Sequence, residues 1–242
     1  MITREVIVLV GGTSSLARAL VDQYLSKNKL VKIIVAAKSQ EKYNRLYSTY
    51  SSEDIEFHKL DILDFNDIEK LIIYVKGYER KATFFYLAAI KSKNSANIEN
   101  LFKINFLSSV YFYDCLLKKI DTFNFILIGS QGDIHGAYET SSYNASKAAM
   151  SNYFEPIALS NRGTQQVYLI KPWLFQSKIM THSKLTNFLS YSPEYIAKIS
   201  IKKISRGKSL IYIPVITYKL VELLSFINKK LLYAILLRFL KR

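Results

Sequence analysis

Tyr143 and Lys147 stand four residues apart in Ser142-Tyr143-Asn144-Ala145-Ser146-Lys147. On a helix that spacing puts a phenol and an ammonium on one face, about one turn apart. A free phenol, with a pKa near ~10, is a poor acid at neutral pH. A cation beside it favours the phenolate and draws that pKa toward the working range of a proton donor. Thirteen residues before Tyr143, at the end of the apolar run Phe123-Asn124-Phe125-Ile126-Leu127-Ile128-Gly129, comes Ser130. A serine there can hold a carbonyl oxygen while the tyrosine supplies a proton. By itself Tyr-x-x-x-Lys also fits a solvated helix face, so the weight falls on the rest of the chain.

Asn105 is the polar exception in a mainly apolar stretch (Leu101, Ile104, Phe106, Leu107, Val110, Phe112) of a long helix expected over 96–117. A buried asparagine needs partners. It is either a structural hydrogen-bond bridge or part of the shell around a reacting group. His135 falls in the loop 131–141 and reads as a loop residue near a cleft. His58 and His182 stand apart, without ligand spacing, so no metal site is expected.

These groups need a sheet edge and a helix start to hold them. Val6-Ile7-Val8-Leu9-Val10 reads as a buried strand, followed by the small-residue turn Gly11-Gly12-Thr13-Ser14-Ser15-Leu16-Ala17 and a helix. Such a turn lets backbone N–H groups at a helix N-terminus face a pyrophosphate. It nominates Gly11, Thr13, Ser14, Ser15 and Leu16 as nucleotide contacts. In a G-x-x-x-G-x-G pattern the glycines would fall at 11, 15 and 17; here they are Gly11, Ser15 and Ala17. The same residues also fit an ordinary strand-to-helix turn.

A second strand, 31–37, ends without the acid that would hold a ribose hydroxyl for NAD. Lys38-Ser39 stand there instead, a cation and a hydroxyl that suit a 2′-phosphate and favour NADP(H) over NAD(H). Lys38 equally fits a solvent lysine opening a helix. A third strand, 55–60, ends in Asp61-Ile62, where Asp61 can cap the next turn or accept from an adenine amino group. Phe65, Ile68, Leu71, Ile72 and Val75 mark a helix over 65–76. A fourth strand, 83–89, closes on Ala88 and Ala89, small enough for a nucleotide to lie against the backbone.

The tyrosine helix is expected over 142–160 and a sixth strand over 166–171, closed by Pro172-Trp173. Residues 174–192 have irregular polarity and read as a flap over the site. Ser192 caps a further helix with Pro193 at its first position, and Arg206-Gly207-Lys208 ends it before a seventh strand, 209–214. Strands alternating with helices argue for an α/β, single-domain Rossmann fold: a doubly wound parallel sheet of about seven strands.

With 242 residues, half of them hydrophobic, the chain can bury one large core. Its single cysteine, Cys115, excludes an internal disulfide and a cysteine metal cage. With no signal-like start, a cytoplasmic location is expected. The net charge is +15, a value often met in nucleic-acid binders. Yet residues 201–242 carry ten Lys/Arg against one acid, Glu222, for a net of +9. There the cations are interleaved with Leu, Ile, Phe and Tyr, which fits an acidic membrane surface better than a nucleic-acid groove.

In order, these motifs resemble the short-chain dehydrogenase/reductase (SDR) family over about Val6 to Pro214. They are the turn Gly11–Ala17, Asp61-Ile62, Tyr86-Leu87-Ala88-Ala89 in place of Asn-Asn-Ala-Gly, Asn105, Ser130, and Tyr143-Asn144-Ala145-Ser146-Lys147. The resemblance implies an NAD(P)(H)-dependent oxidoreductase interconverting a keto group and a secondary alcohol. Tyr143 would be the proton donor and Ser130 would bond the carbonyl. Lys147 would bind the nicotinamide ribose and depress the tyrosine pKa, and Asn105 would hold a relay water. Pro172 occupies the place of the family's Pro-Gly, with Trp173 following it, and Ser177 stands where a threonine often meets the carboxamide.

The chain divides into a catalytic domain, 1–214, and a basic hydrophobic helical tail, 215–242. The tail's longest apolar run is seven residues, far below the ~18–20 of a spanning helix. It fits an interfacial anchor on the inner face of the cytoplasmic membrane, a homo-oligomer contact, or a lid on the protein's own core. This end resembles a bacterial subgroup of the family that includes the ketoreductase completing the epimerisation of polyprenyl-phosphate-linked ribose to arabinose, so a sugar or lipid-linked carbonyl substrate in cell-envelope biosynthesis is implied. The alternatives are a soluble acyl or secondary-metabolite ketoreductase, and a non-catalytic nucleotide-binding partner protein.

Overall fold

The computed structural model describes residues 5–27, 30–91, 97–133, 140–161, 163–173, 176 and 190–225. Seven strands run in the order β3-β2-β1-β4-β5-β6-β7, every neighbouring pair parallel. They are β1 (Glu5–Val10), β2 (Val31–Ala37), β3 (Ile55–Lys59), β4 (Ala82–Tyr86), β5 (Phe123–Ile128), β6 (Gln165–Pro172) and β7 (Leu210–Ile213). The doubly wound α/β sheet expected from the alternation is therefore present. Strand order reverses between β1 and β4, and in open parallel sheets the crevice beyond the strand ends at such a reversal is where ligands bind.

The strands read as near-continuous apolar runs because both faces are covered. Side chains alternate across the sheet with a period of two. Val6, Val8, Val10, Phe123, Phe125 and Leu127 enter one core, and Ile7, Leu9, Ile33, Val35 and Ile126 enter the other. The first core is closed by α3 (Phe65–Lys76), α5 (Ser108–Lys119) and α6 (Ser141–Leu159), which contribute Leu71, Phe112, Met150 and Phe154 among others. The second is closed by α1 (Ser15–Lys27), by Tyr47 at the end of α2 (Gln40–Tyr47), and by α7 (Pro193–Ile204).

The helix over 65–76 lies where its apolar period put it, with Asp64 as N-cap accepting from Asn66 N–H. Ser192 caps α7 by accepting from Tyr195 N–H, and Gly207 follows with φ of 71°. The long helix expected over 96–117 is interrupted. Helix α4 (Ile98–Phe102) passes into a π-helical turn, Lys103–Leu107, before α5 begins. Widened turns of this kind occur as single insertions in α-helices, and this one carries Asn105. A last helix, α8 (Val215–Ser225), follows β7. Among the described residues no helix is long and apolar enough to cross a membrane.

Candidate active site

The ends of β1, β2, β3 and β4 enclose a cavity of about 370 Å³ at the point where strand order reverses. Gly11, Thr13, Ser14, Lys38, Asp61, Ile62, Ala88 and Ala89 line it, together with Leu60, Leu63 and Ile104. Gly11 adopts φ of +78°, and a Cβ on it would lie 2.7 Å from the Ala88 nitrogen. Both facts demand glycine, and they set how closely the first turn approaches the end of β4. A helix's first turn leaves N–H groups without intrahelical partners; Ser14 Oγ accepts one of them, from Ala17, at 3.1 Å. Ser15 and Leu16 do not line the cavity. Ser15 Oγ donates to the Gln176 carbonyl, and Leu16 is packed into the core.

Lys38 and Asp61 meet here, with Nζ 2.7 Å from Oδ2. Asp61 also accepts from the Leu63 N–H, so it caps the next turn. Burial would raise its carboxyl, but Lys38 and that N–H hold it below its ordinary value. The hydroxyl of Ser39 is taken up as the N-cap of α2. The small residues, the open strand ends and Lys38, paired with Asp61 at the rim, fit a nucleotide.

On the other side of the reversal, the π-helical turn, the segment after β4 and the end of β5 are tied to one helix, α6. Asn105 is fully buried. Its Nδ2 donates to the Ile90 carbonyl (2.9 Å) and to Ser146 Oγ (3.0 Å), while its Oδ1 accepts from the Ile90 N–H (2.8 Å). The side chain thus joins the end of β4 to α6 and has no donor left for a water. Lys147 is buried on α6, and its Nζ donates to the Ile128 carbonyl at the end of β5 (2.8 Å). Ser130 follows two residues later, and its Oγ accepts from the Gly132 N–H (3.0 Å). A Cβ on Gly132 would lie 3.1 Å from Asn144 Oδ1 and 3.3 Å from Ser130 Oγ, which puts the serine beside the residue that follows Tyr143. Tyr143 itself is half-buried in the first turn of α6.

The electrostatics differ from the expectation for a Tyr/Lys pair. Burial pushes the Tyr143 phenol up to about 12. It pushes the Lys147 ammonium down to about 8, with Asp133 opposing. Desolvation penalises the charged form of each, and the Lys147 ammonium is directed at the Ile128 carbonyl. In the polypeptide alone, desolvation therefore favours the protonated phenol of Tyr143. A second cation also faces it, with the Lys91 ammonium 5.8 Å from the ring centroid.

Sequence reasoning passed over Lys91, Ser146, Gln131, Asp133 and Lys171. Gln131 is buried and clips three elements together. Its amide donates to the Lys171 and Pro214 carbonyls, and its oxygen accepts from Thr217 on α8. Only its place directly after Ser130 marked it. Pro172 ends β6, opposite Ile213 in register, and Trp173 N–H donates to the Ile213 carbonyl. Ser177, His135, His182, most of the expected flap and residues 226–242 lie outside the described residues.

A family model for short chain dehydrogenases matches residues 5–186. Among solved structures, the chain is similar to a short chain dehydrogenase from Burkholderia cenocepacia J2315 in complex with NADP. That match has 13% identity and a TM-score of 0.78, over 98% of this chain and 99% of the other. It is also similar to a short chain dehydrogenase/reductase from Burkholderia phymatum in complex with NAD (14% identity, TM-score 0.76, 90% and 92% coverage). A short chain dehydrogenase family protein from Francisella tularensis matches at 20% identity and TM-score 0.69, over 87% and 97%. No curated protein matches the chain.

Proposed function

The chain belongs to the short chain dehydrogenase family and is an NAD(P)-dependent oxidoreductase, and from that premise we propose that it interconverts a keto group and a secondary alcohol with Tyr143 as the proton donor. The cofactor supplies or accepts the hydride. Ser130 holds the substrate oxygen beside Asn144. Lys147 positions the nicotinamide ribose and keeps positive charge near the phenol. Asn105 fixes α6 against β4; both of its side-chain donors are engaged, so a relay water there would donate to its side-chain oxygen or to a main-chain carbonyl of the π-helical turn. The observation that carries this reading is the buried network that ties α6 to the ends of β4 and β5 through Asn105 and Lys147.

The test is Tyr143→Phe in an assay of NADPH oxidation with ketosugars and acyl β-ketones. Loss of one positioned general acid lowers turnover by about 10²–10⁴-fold, while dinucleotide binding is expected to stay within about twofold. Turnover equal to the parent protein's would overturn the assignment.

The cofactor reading that goes further is NADP(H) over NAD(H), supported by Lys38 and by the lack of an acid at the end of β2. For the substrate, we favour a carbonyl presented at a membrane, a sugar or lipid-linked sugar in cell-envelope biosynthesis. Supporting this, Ile216, Leu220 and Leu223 on α8 are 75%, 56% and 65% exposed. Their spacing puts them on one helix face, and the tail beyond is basic. In this reading 1–214 is the catalytic unit and 215–242 a peripheral anchor. Flotation with anionic liposomes separates this from a soluble ketoreductase: the full chain should float in a salt-sensitive manner and a chain ending at Pro214 should not. Absence of flotation by the full chain would remove the membrane reading.

A further inference from the structure

Behind Lys147 lies a buried ionic cluster that the reaction outlined above does not use. The Asp133 side chain is 3% exposed and that of Lys171 is 5% exposed, and they pair with Nζ 3.0 Å from Oδ2. Lys171 Nζ also lies 2.8 Å from Glu155 Oε2. Ser151 Oγ donates to the same Asp133 oxygen. Ser151 and Glu155 follow Lys147 on α6 at successive four-residue steps, so one helix face carries the lysine, the hydroxyl and the carboxylate. Asp133, from the short turn after Ser130, and Lys171, from the end of β6, fill the space against that face.

Among the described residues, the charged and titratable groups around this cluster are Lys147, Lys171, Asp133, Glu155, Tyr212 and Tyr218. Lys147 faces the Ile128 carbonyl and feels Asp133. Lys171 faces Asp133 and Glu155 and lies 5.8 Å from the Tyr212 ring centroid. Burial would lower its ammonium, but Glu155 and Asp133 raise it overall. Burial and the neighbouring Tyr218 keep the Tyr212 phenol protonated, with Glu155 and Asp133 acting in the same direction. Two buried cations thus face one buried carboxylate, Asp133, and one at the rim, Glu155, whose side chain is 32% exposed; removing Asp133 leaves a buried positive charge poorly compensated. Asp133 Oδ1, the oxygen that neither Lys171 nor Ser151 holds, is buried without a hydrogen-bond partner among the described residues. Through Ser151, which stands one helical turn after Lys147 on the same face, Asp133 is held against the turn of α6 that carries the lysine.

We propose that Asp133 is a positioning residue for Lys147: it keeps the lysine charged in its buried seat, and Lys171 and Glu155 set how strongly it does so. The proposal rests on the reading of Lys147 as part of the active site, but its test does not require turnover. The charge at Lys147 is read in the full-length protein by trace acetylation with acetic anhydride across pH, quantified on the Lys147 peptide.

An electrostatic role makes the variants move in opposite directions. Asp133→Asn removes the counter-charge and should lower the Lys147 midpoint by about one pH unit. Glu155→Gln should lower it by less. Lys171→Met removes a competing cation and frees Asp133 for Lys147, so it should raise the midpoint. Thermal unfolding of each variant controls for loss of fold. If Asp133→Asn does not fold, the opposite signs expected for Glu155→Gln and Lys171→Met still decide. Midpoints that do not move, or that all fall together, would overturn the proposal and leave the cluster a packing device. Failure of the Tyr143→Phe test would remove the catalytic role of Lys147 and leave these midpoints readable.

Discussion

At the end of β1, the backbone of Gly11 runs so close to Ala88 that a single added carbon would lie 2.7 Å from its nitrogen. At the end of β5, contact is made by long side chains reaching carbonyls: Lys147 to Ile128, Gln131 to Lys171 and Pro214, and Asn105 across to Ile90. Each half of the crevice has an ion pair, and the two differ in the same way. Lys38–Asp61 has side chains 70% and 32% exposed, whereas Lys171–Asp133 has 5% and 3%. The half around Gly11 is shaped by backbone fit with a solvated charge at its rim. The half around Tyr143 is a desolvated polar network in which every group depends on its neighbour. Substitutions should therefore act sterically and locally in the first half, and electrostatically and cooperatively in the second.

The largest effect should come from Gly11→Ala. Positive φ on a residue with a Cβ costs about 1–3 kcal/mol, and forcing an atom into a tight contact costs about 1–3 kcal/mol more. A loss of about 2–5 kcal/mol is expected, lowering Tm by roughly 5–15 °C and weakening dinucleotide binding. Thermal denaturation and NADPH fluorescence titration check both. A variant as stable as the parent would mean that the two strand ends can part, and that the backbone fit is looser than the contact implies.

Next in size is Asn105→Ala. It leaves the Ile90 N–H and carbonyl without their side-chain partner and removes the donor to Ser146 Oγ, which keeps its own bond to the Tyr143 carbonyl. Unmet polar groups that are partly buried cost about 1–3 kcal/mol each, and water reaches Ile90 in part, so about 2–4 kcal/mol is expected. The discriminating feature is coupling. Combined with Ser146→Ala, the two losses should sum to less than additive by about 0.5–1.5 kcal/mol in chemical denaturation. A strictly additive pair would mean that the second half is no network.

How much of this was legible in the sequence follows the same division. The turn after β1, the helix with its Asp64 cap, and the Ser192-Pro193 start are local patterns, and each lies where its residues put it. The cavity at the strand reversal is lined by most of the residues nominated from their place at strand ends. The π-helical turn was not legible, because apolar spacing over 96–117 is compatible with an unbroken helix. What the sequence does not display is the Ile90 backbone waiting for Asn105. Lys38 and Asp61 each stood out, but their pairing crosses from β2 to β3. Asp133 and Lys171 did not stand out, since a charged residue in a loop or at a strand end is ordinarily solvated. Only the folding of α6 against β6 turns them into a buried pair.

The smallest effect, and the sharpest test of the solvated half, is at Lys38. Exposed ion pairs contribute about 0.2–1 kcal/mol. That contribution is present above the ordinary carboxylate pKa and is lost as pH falls through the lowered pKa of Asp61. Lys38→Ala should thus leave Tm almost unchanged. If Lys38 also meets a 2′-phosphate, its loss removes one charge-assisted contact of about 1–2 kcal/mol, raising the NADPH Kd by about five- to twenty-fold. The NADH Kd should stay within about twofold. Asp61→Asn should act in the opposite sense, releasing Lys38 and tightening NADPH a few-fold, roughly 0.5–1 kcal/mol. Because both side chains are open to solvent, added salt should shrink both changes, whereas the midpoints of Lys147, buried on α6, should respond far less. Equal salt sensitivity at the two sites would erase the distinction between the halves.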